Sequence, residues 1–302
     1  MKISAFTFLR NGLTYGYPFI ESIKSLLPIV NEYIVVLGDS NDGSKEAILE
    51  LNNPKIKIIP TIWDDNLRTG GKIFAQQANI GIENASKNSD WLFHLQADEV
   101  LHEKDYDTIL KGLKDNLNYL PVDGFLLNFK IFFGDYNHYC PSRRFHQKEI
   151  RIIRNNPLIK SYKDSMGFRI FNNEHNILEK GTKLNVLQID AIIYHYSYVR
   201  HPNKQKAKQL EFAKKYIKTD DFIADYLKKL DEQEVYGDYD FLYKFKETHP
   251  AVMNDLIMEN DSSFVYQPLK NNMNFKEKFL KIIQETTGIQ PFIYKNYKLI
   301  KK

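Results

Sequence analysis

The sequence has almost no cysteine and no long apolar run. Cys140 is the single cysteine among 302 residues, which excludes a disulfide within the chain and fits a reducing compartment such as the cytoplasm. No stretch of about 18 apolar residues occurs, so we expect no membrane-spanning helix. The first residues, MKISAFTFLRNG, contain only a brief apolar stretch and no small-residue cleavage site, so we expect no signal peptide.

The sequence also lacks an excess of charge of either sign. It has 42 Lys and Arg residues against 38 Asp and Glu residues, and a net charge of +4 does not indicate nucleic acid as a partner. Fractions of 43% hydrophobic and 26% charged residues are typical of a soluble globular protein. The 19 Tyr and 20 Phe residues fit either core filling or surfaces that stack on sugar-like ligands.

The first hundred residues alternate between strand and helix patterns. We predict strands at 3–9, 32–38, 55–60 and 90–95, and helices at 17–30, 45–51 and 71–86. This alternation predicts an α/β fold in which a parallel sheet has helices on both faces. A helix at 106–117 and strands at 123–134, 149–154 and 183–196 follow, and from Asn203 onward the chain is mostly helical and rich in lysine.

Two acids follow the fourth predicted strand in the segment DWLFHLQADEVL, residues 90–101. Ligands bind at the carboxyl ends of strands in an open α/β sheet. Asp98 and Glu99 repel each other there and lose solvation, so we expect a metal ion, a cationic partner or open water to compensate. Asp98 could supply an oxygen ligand to Mg²⁺ or Mn²⁺. In the alternative interpretation Asp98 caps the following segment and Glu99 is a surface acid.

Two loops carry weaker patterns. GDSNDGS, residues 38–44, follows the second strand, where an aspartate can accept hydrogen bonds from a ribose hydroxyl or a base. The alternative is a turn capped by Asp42 or Ser44. RTGGK, residues 68–72, lacks the full phosphate-binding loop pattern, and its Arg68 and Lys72 either offset diphosphate charge or are simply solvated.

Taken in order, these segments resemble the family 2 glycosyltransferases with a GT-A fold. The resemblance is carried by FLRNG after strand one, DSNDGS after strand two, Asn79 in the third helix and W-x-x-x-L-x-A-D-E at 91–99. The acidic D-x-D motif of the family reads Gln96-Ala97-Asp98 here, so Asp98 matches the acid that usually holds the metal, and Gln96 replaces the first acid with a neutral amide. Leu37 stands where the first Asp of the second loop is expected, and Asp39 would take over recognition of the base or ribose.

The resemblance extends to about residue 210. KEIRIIRNNPLIKSYKDSMGF, residues 148–168, looks like the acceptor-side region of bacterial members, and IYHYSYVRHPNKQKAK, residues 193–208, looks like their late H-Y-x-x-x-R segment. By this match His195 would complete the metal shell, although a histidine on a strand is more often a core residue. Arg200 and Lys204 would lie over a diphosphate.

The resemblance implies a GT-A-like, mixed and mostly parallel sheet flanked by helices. We expect a domain of residues 1–202, with a nucleotide-binding half at about 1–100 and an acceptor-side half at about 101–202. A helical C-terminal extension would cover 203–302. Its last segment, FIYKNYKLIKK, is either a solvated tail or a peripheral contact with anionic lipid at the inner face of the membrane.

The implied activity is inverting, metal-dependent transfer of a sugar from a nucleoside diphosphate to a glycan or lipid-linked acceptor, as in polysaccharide biosynthesis. UDP is favoured and GDP is the alternative, and Mn²⁺ or Mg²⁺ would be held by Asp98 and His195. Asp164 is the expected general base and Glu149 the second choice, because the acceptor hydroxyl needs a positioned carboxylate. The residues expected to bind the donor are Phe8, Arg10, Asn11, Asp39, Asp42, Arg68, Lys72, Asn79, Gln96 and Arg200.

Two other functions stay open at this stage. A sugar nucleotidyltransferase shares the sheet architecture, but its Gly-rich G-x-G-x-R loop is not matched by FLRNGLTYG. A non-catalytic module that binds nucleotide sugars or glycans is favoured by Gln96, since a degenerate site can keep the fold without the chemistry.

Overall fold

The protein is described by a computed structural model that covers residues 1–67, 70–172, 181–216, 241–259, 275–287 and 291–301. Its first half builds a sheet from strands that alternate with helices along the chain. The strands are β1 (Ile3–Leu9), β2 (Glu32–Leu37), β3 (Ile56–Pro60) and β4 (Trp91–His94), and the helices between them are α1 (Phe19–Leu26), α2 (Ser44–Glu50) and α3 (Lys72–Asn84).

The second half extends the same sheet and adds short elements around it. Its strands are β5 (Glu99–Leu101), β6 (Gly124–Phe133), β7 (His138–Tyr139), β8 (Lys148–Arg154), β9 (Ile159–Ser161), β10 (Phe168–Ile170), β11 (Thr182–Lys183), β12 (Asn185–Tyr198), β13 (Tyr243–Lys244) and β14 (Lys298–Leu299). Its helices are α4 (Tyr106–Asp115), α5 (Pro202–Tyr216), α6 (Asn254–Met258) and α7 (Phe275–Thr287), with 3-10 turns at Glu103–Asp105 and Ala251–Met253.

The central strands lie in the order β3-β2-β1-β4-β8-β6, and β12 pairs with β6. β1 is parallel to β2 and β4, β2 is parallel to β3, and β12 is parallel to β6. β8 is antiparallel to both of its neighbours, β4 and β6, so it alone among these seven strands runs in the opposite direction. The predicted fold class is confirmed: the fold is α/β, with a mixed and mostly parallel sheet flanked by helices.

Side-chain alternation along the strands supplies a core to each face of the sheet. On β1, Ala5 and Leu9 pack with the apolar faces of α1 and α4, whereas Phe6 packs with α3 on the other face. Both clusters are made of almost fully buried residues, so the sheet is covered on both sides. Within the described part of the chain, no helix has the length and apolar character needed to cross a membrane.

The predicted elements of the first half are confirmed, with α1 and α3 shorter than predicted. α1 covers Phe19–Leu26 rather than 17–30, because Pro28 has no backbone N–H with which to continue the helical hydrogen bonds. Residues after 202 also contribute to the sheet: β13 pairs with β7, and β14 pairs with β12. Residues 217–240, part of the segment predicted to be mostly helical, lie outside the described residues, and the division at 202 stays a prediction.

Candidate functional site

A cavity of about 310 Å³ opens where β1 and β4 end, at the carboxyl edge of the parallel strands. We call it the first cavity. Seven of the side chains predicted from the sequence line it, namely Phe8, Arg10, Gln96, Asp98, Glu149, Asp164 and His195. The sheet therefore brings together residues that lie up to 187 positions apart in the sequence.

Asp98 borders the first cavity and is bound by a lysine from α5. The ammonium group of Lys208 donates to Oδ2 of Asp98 over 3.1 Å, and to Oγ and the carbonyl oxygen of Ser197 over 2.6 and 3.2 Å. Nε2 of His195 lies 3.4 Å from Oδ1 of Asp98, and a terminal nitrogen of Arg200 lies 3.8 Å from Oδ2. Burial favours the neutral acid, but Lys208, His195 and Arg200 together hold the pKa of Asp98 well below its ordinary value.

Lys208 is enclosed as well as hydrogen-bonded. Its side chain is 7% exposed, and its nitrogen lies 5.2 Å from the ring centre of Tyr17 and 5.5 Å from that of Phe212. Burial and the nearby Arg200 lower the pKa of Lys208 to about 7, while Asp98 acts in the opposite direction. A negatively charged ligand in the cavity would favour the ammonium form further.

Glu99, the second acid of the motif, is neutralised by a different cation. Its carboxylate has no exposed surface and accepts two hydrogen bonds from Arg151, over 2.8 and 2.7 Å. Burial opposes ionisation, but Arg151 lowers the pKa of Glu99. The interpretation of Glu99 as a surface acid is therefore wrong, and Asp98 is not a helix cap, since a strand, β5, follows it. A cationic partner compensates each acid.

The residues around Asp98 do not fit a resident Mn²⁺ or Mg²⁺. Asp98 and His195 would supply one carboxylate and one imidazole, and a divalent ion can bind through so few protein ligands when substrate phosphates and waters complete its shell. The obstacle is Lys208, whose ammonium group already occupies Oδ2 of Asp98 over 3.1 Å. Lys208 and Arg200 already neutralise the carboxylate, so a divalent ion would add to an existing positive charge. Across the ranges that the structure describes, no cluster of three or more His, Cys, Asp or Glu side chains is arranged to hold a metal.

One wall of the first cavity is aromatic. The rings of Phe8 and Phe74 stack with centres 6.1 Å apart, and Trp63 meets Phe74 edge-on at 5.8 Å. Phe212 of α5 packs against Phe74 at 5.1 Å and closes this wall. Flat apolar faces of this kind suit a nucleobase or a sugar ring.

Arg10 lies beside the aromatic wall. Its terminal nitrogens each lie 2.9 Å from a carboxylate oxygen, one of Asp39 and one of Asp65, and its guanidinium centre lies 5.9 Å from the Trp63 ring. Asp39 also accepts a hydrogen bond from the backbone nitrogen of Trp63 over 3.2 Å. Asp39 thus stands behind Arg10 and Trp63, outside the cavity lining.

Asp164 enters the first cavity from a tight loop between β9 and β10. Its neighbours Lys163 and Ser165 have φ angles of 55° and 63°, in the left-handed region that costs a non-glycine residue of the order of 1 kcal/mol. The Tyr216 hydroxyl donates to Oδ2 of Asp164 over 3.2 Å. Gly71, with φ of 66°, lies so close that a Cβ there would be 2.7 Å from the Cβ of Asp164. The glycine of RTGGK therefore permits close packing at this point.

The pKa of Glu149 is shifted upward, in the opposite direction to that of Asp98. The residue is 6% exposed, and burial raises the pKa of Glu149 to about 8. Its Oε1 lies 3.1 Å from Nδ1 of His146, and burial also lowers the pKa of that histidine. At neutral pH the carboxyl group is therefore mostly protonated and able to donate a hydrogen bond.

Two of the predicted donor-binding residues connect neighbouring loops. Oδ1 of Asn11 accepts a hydrogen bond from the backbone of Asn41 over 3.0 Å. Asp42 accepts from the backbone nitrogens of Thr14 and Ser44, over 2.8 and 3.1 Å. Both side chains lie outside the cavity lining, and Asp42 stabilises the turn before α2, whose N-cap position is Gly43.

Four further residues that were predicted to bind the donor are not found among the described lining residues of the first cavity. Asn79 uses both ends of its amide on the backbone of Ser161, over 3.0 and 2.8 Å. Lys72 is exposed at the start of α3, and Arg68 lies outside the described residues. Arg200 stands behind Asp98 and donates to the carbonyl oxygen of Tyr15 over 2.8 Å.

A second cavity, of about 850 Å³, adjoins the first. The two cavities share six lining residues: Phe129, Phe145, His146, Glu149, Asp164 and Met166. The second cavity is also lined by five cationic side chains, Arg143, Arg144, Lys148, Lys163 and Lys295. Asp164 and the largely neutral Glu149 are its only carboxylic acids among the described residues.

The aromatic C-terminal segment forms part of the second cavity. Residues 292–297 contribute to its lining, and β14 pairs with β12. The Tyr162 hydroxyl donates to Oδ1 of Asn296 over 2.6 Å, and Arg169 donates to the Tyr294 hydroxyl over 3.1 Å. The segment is therefore attached to the domain through these contacts, while Phe292 and Tyr294 remain 89% and 69% exposed.

Sequence reasoning missed Lys208, Trp63 and His146 as lining residues. A signal for Lys208 was present in the spacing of α5, where buried Gln205, Lys208 and Lys215 lie on one face at intervals of three and seven residues. Because lysines occur on the exposed positions of this helix as well, its composition did not distinguish the buried face. Trp63 and His146 lie in loops, for which no periodic pattern exists.

Comparisons with known proteins give weak similarities to solved structures. No protein-family model matches the chain, and no curated protein matches it in sequence. The crystal structure of S. aureus TarS 1-349 is 14% identical with a TM-score of 0.39, covering 78% of this chain and 68% of that one. Glucosyl-3-phosphoglycerate synthase from Mycobacterium tuberculosis, in complex with Mn²⁺, UDP and phosphoglyceric acid, is 14% identical with a TM-score of 0.28, covering 43% of each chain.

A third similarity is to 4-diphosphocytidyl-2C-methyl-D-erythritol synthase from Anaerococcus prevotii. It is 10% identical with a TM-score of 0.34, covering 76% of this chain and 95% of that one. S. aureus TarS 1-349 is also known in complex with UDP, at the same identity and TM-score.

Proposed function

We propose that the protein is a glycosyltransferase that moves a sugar from a nucleoside diphosphate to an acceptor hydroxyl with inversion. The observation that carries this proposal is the meeting of two cavities at Asp164 and Glu149. The first cavity offers an aromatic wall and buried cations, which suit a base and a diphosphate. The second offers a separate place for an acceptor, and a carboxylate stands between them.

In this proposal the donor lies in the first cavity. Its base stacks near Trp63 and Phe74, and its diphosphate lies near Lys208, where positive charge stabilises the leaving group. UDP is the favoured nucleotide, with GDP as the alternative. Asp98 keeps Lys208 in position and does not itself contact the donor.

Asp164 is the proposed general base. Its carboxylate takes the proton of the acceptor hydroxyl, the acceptor oxygen bonds to the anomeric carbon, and the bond to the diphosphate breaks with its electron pair leaving on the diphosphate. Glu149 is less suited to this role, because a pKa of about 8 leaves it protonated at neutral pH. Glu149 would instead donate a hydrogen bond to the acceptor or the sugar.

The lining of the second cavity suggests an acceptor that carries negative charge. Five cationic side chains surround a cavity with one ionised acid, so a neutral glycan would leave this charge uncompensated. A phosphate-bearing or acidic glycan, free or lipid-linked, fits better. Contact of the protein with a membrane, its cytoplasmic location and the domain division at 202 remain predictions from the sequence.

The test is release of nucleoside diphosphate from UDP-glucose, UDP-N-acetylglucosamine and GDP-mannose, with the Asp164→Asn variant as control. We expect the wild-type protein to release UDP or GDP slowly, with water as the acceptor, and the variant to release it at least about 100-fold more slowly. Binding without release would support the non-catalytic module. Condensation of UTP or CTP with a sugar phosphate, with release of pyrophosphate, would support a nucleotidyltransferase.

A further inference from the structure

We infer that Lys208 takes the place of a divalent metal ion, so that this protein binds its nucleoside diphosphate without Mn²⁺ or Mg²⁺. The inference depends on the proposed function, because it concerns the diphosphate of the same donor. Its basis is the contact between Lys208 and Asp98, the acid that the sequence assigns to the metal. The ammonium group already holds Oδ2 of this carboxylate over 3.1 Å.

The charges at the end of β4 balance without a metal. Asp98 and Glu99 contribute two negative charges, and Arg200 and Arg151 contribute two positive ones. Lys208 adds a third positive charge in its ammonium form, which a bound diphosphate favours over the neutral amine. A diphosphate bound here would therefore lie beside positive charge. A divalent ion stabilises a diphosphate by the same electrostatic attraction.

Displacing Lys208 to admit a metal would be costly. Its nitrogen makes three hydrogen bonds, one to Asp98 and two to Ser197, in a position that is almost closed to solvent. Without Asp98, the ammonium group would be left buried and short of a counter-charge. The ammonium nitrogen of Lys208 also lies 5.2 Å from the ring centre of Tyr17 and 5.5 Å from that of Phe212, and these cation–π contacts stabilise its position further.

The position of Lys208 on α5 connects the cation to the aromatic wall. Phe212 lies one turn after Lys208 and packs on Phe74, and Tyr216 lies one turn further and holds Asp164. One helix face thus supplies the diphosphate cation, part of the aromatic wall and a partner of the general base. Donor binding at Lys208 would therefore also order the residues used in the transfer step.

The experiment is calorimetric titration of UDP, with GDP in parallel, in buffer containing EDTA and in buffer containing Mn²⁺. The variants are Lys208→Met, Lys208→Arg and, as a matched control on an exposed position of the same helix, Lys206→Met. We expect wild-type affinities in the two buffers to agree within about threefold, and Lys208→Met to bind at least about tenfold more weakly in EDTA. Lys208→Arg keeps the charge and Lys206→Met keeps the site, so both should bind in EDTA.

The outcomes separate this inference from the proposed function. If wild-type protein binds UDP or GDP in Mn²⁺ but loses about tenfold or more of its affinity in EDTA, the inference is overturned and the proposed function survives. Equal binding of wild type and Lys208→Met in EDTA also overturns it, provided that thermal melting shows both proteins folded. If neither nucleotide binds in either buffer, the proposed function fails and this inference fails with it.

Discussion

Arg151 and Glu99 form a two-point ion pair inside the protein. Nε of Arg151 donates to Oε2 of Glu99 over 2.8 Å, and a terminal nitrogen donates to Oε1 over 2.7 Å. The side chains are 3% and 0% exposed. Because Glu99 follows Asp98 directly and Arg151 lies on β8, the pair fixes the turn that presents Asp98 to the first cavity.

Removal of one member of this pair should destabilise the protein strongly. Glu99→Gln leaves the buried guanidinium of Arg151 without its counter-charge, and breaking a buried ion pair in this way costs about 3–5 kcal/mol. We expect the free energy of unfolding, measured by urea denaturation, to fall by that amount. The double variant Glu99→Leu with Arg151→Met removes both charges and should be less destabilised than Glu99→Gln. A single variant as stable as wild type would contradict the importance of the pair.

The Asp164→Asn variant should separate chemistry from binding. The amide cannot take a proton, so we expect the rate of transfer to fall by about 100-fold or more, while the affinity for UDP changes little. Rates follow from nucleotide release and affinities from calorimetry. Tyr216→Phe removes only the hydrogen bond to Asp164 and should have a smaller effect on the rate. Equal loss of rate and of affinity in Asp164→Asn would exclude the role of general base.

Glu149 should make the stability of the protein depend on pH. Burial raises its pKa to about 8 from an ordinary value of 4.5, so between these values the folded state holds a proton that the unfolded state has lost. Its contribution to stability is therefore greatest at acidic pH, falls as pH rises from 4.5 to 8, and is constant above 8. Glu149→Gln should remove this slope.

The contribution of Glu149 is measured by urea denaturation of wild type and Glu149→Gln at several pH values between about 5 and 9, a range that includes its pKa of about 8. Relative to wild type, Glu149→Gln should gain of the order of 1 kcal/mol or more over this window. Parallel curves for the two proteins would show that Glu149 titrates normally. His146→Gln, made beside Glu149, tests whether the neighbouring imidazole contributes to the slope.

Asn79 should affect stability and leave nucleotide binding unchanged. Both ends of its amide are bound to the backbone of Ser161, and Asn79→Ala leaves these buried groups unsatisfied. We expect a loss of about 1–3 kcal/mol in the free energy of unfolding. The affinity for UDP should stay within about twofold of wild type, since Asn79 does not line the first cavity. A loss of affinity without loss of stability would support the donor-binding role that the sequence suggests.

Charge reversal in the second cavity should weaken acceptor binding alone. Lys163→Glu places a negative charge beside the proposed acidic acceptor, so we expect KM for that acceptor to rise several-fold while UDP affinity is unchanged. Lys114→Glu is the matched control, because Lys114 is an exposed lysine of α4 away from both cavities. The effect should shrink as salt is raised. An equal effect of the two substitutions would argue against an anionic acceptor.

The sequence by itself determined the sheet and the place of the site. Strands such as Ile3–Leu9 are short apolar runs whose alternating side chains can be buried on two faces, a local property that a pattern reveals. The acids of QADE had to lie at the carboxyl end of a buried strand, because chain direction and strand order put them there. The sequence also required that something compensate their charge.

Only the tertiary structure decided what compensates that charge. Lys208 and Arg151 lie 110 and 52 residues from their acids, and no spacing rule connects positions so far apart. The same holds for Asn79 and for the C-terminal strand β14, whose partners are set by the path of the chain in space. Periodicity reports which face of an element is buried, whereas the identity of its neighbour depends on how all the elements pack.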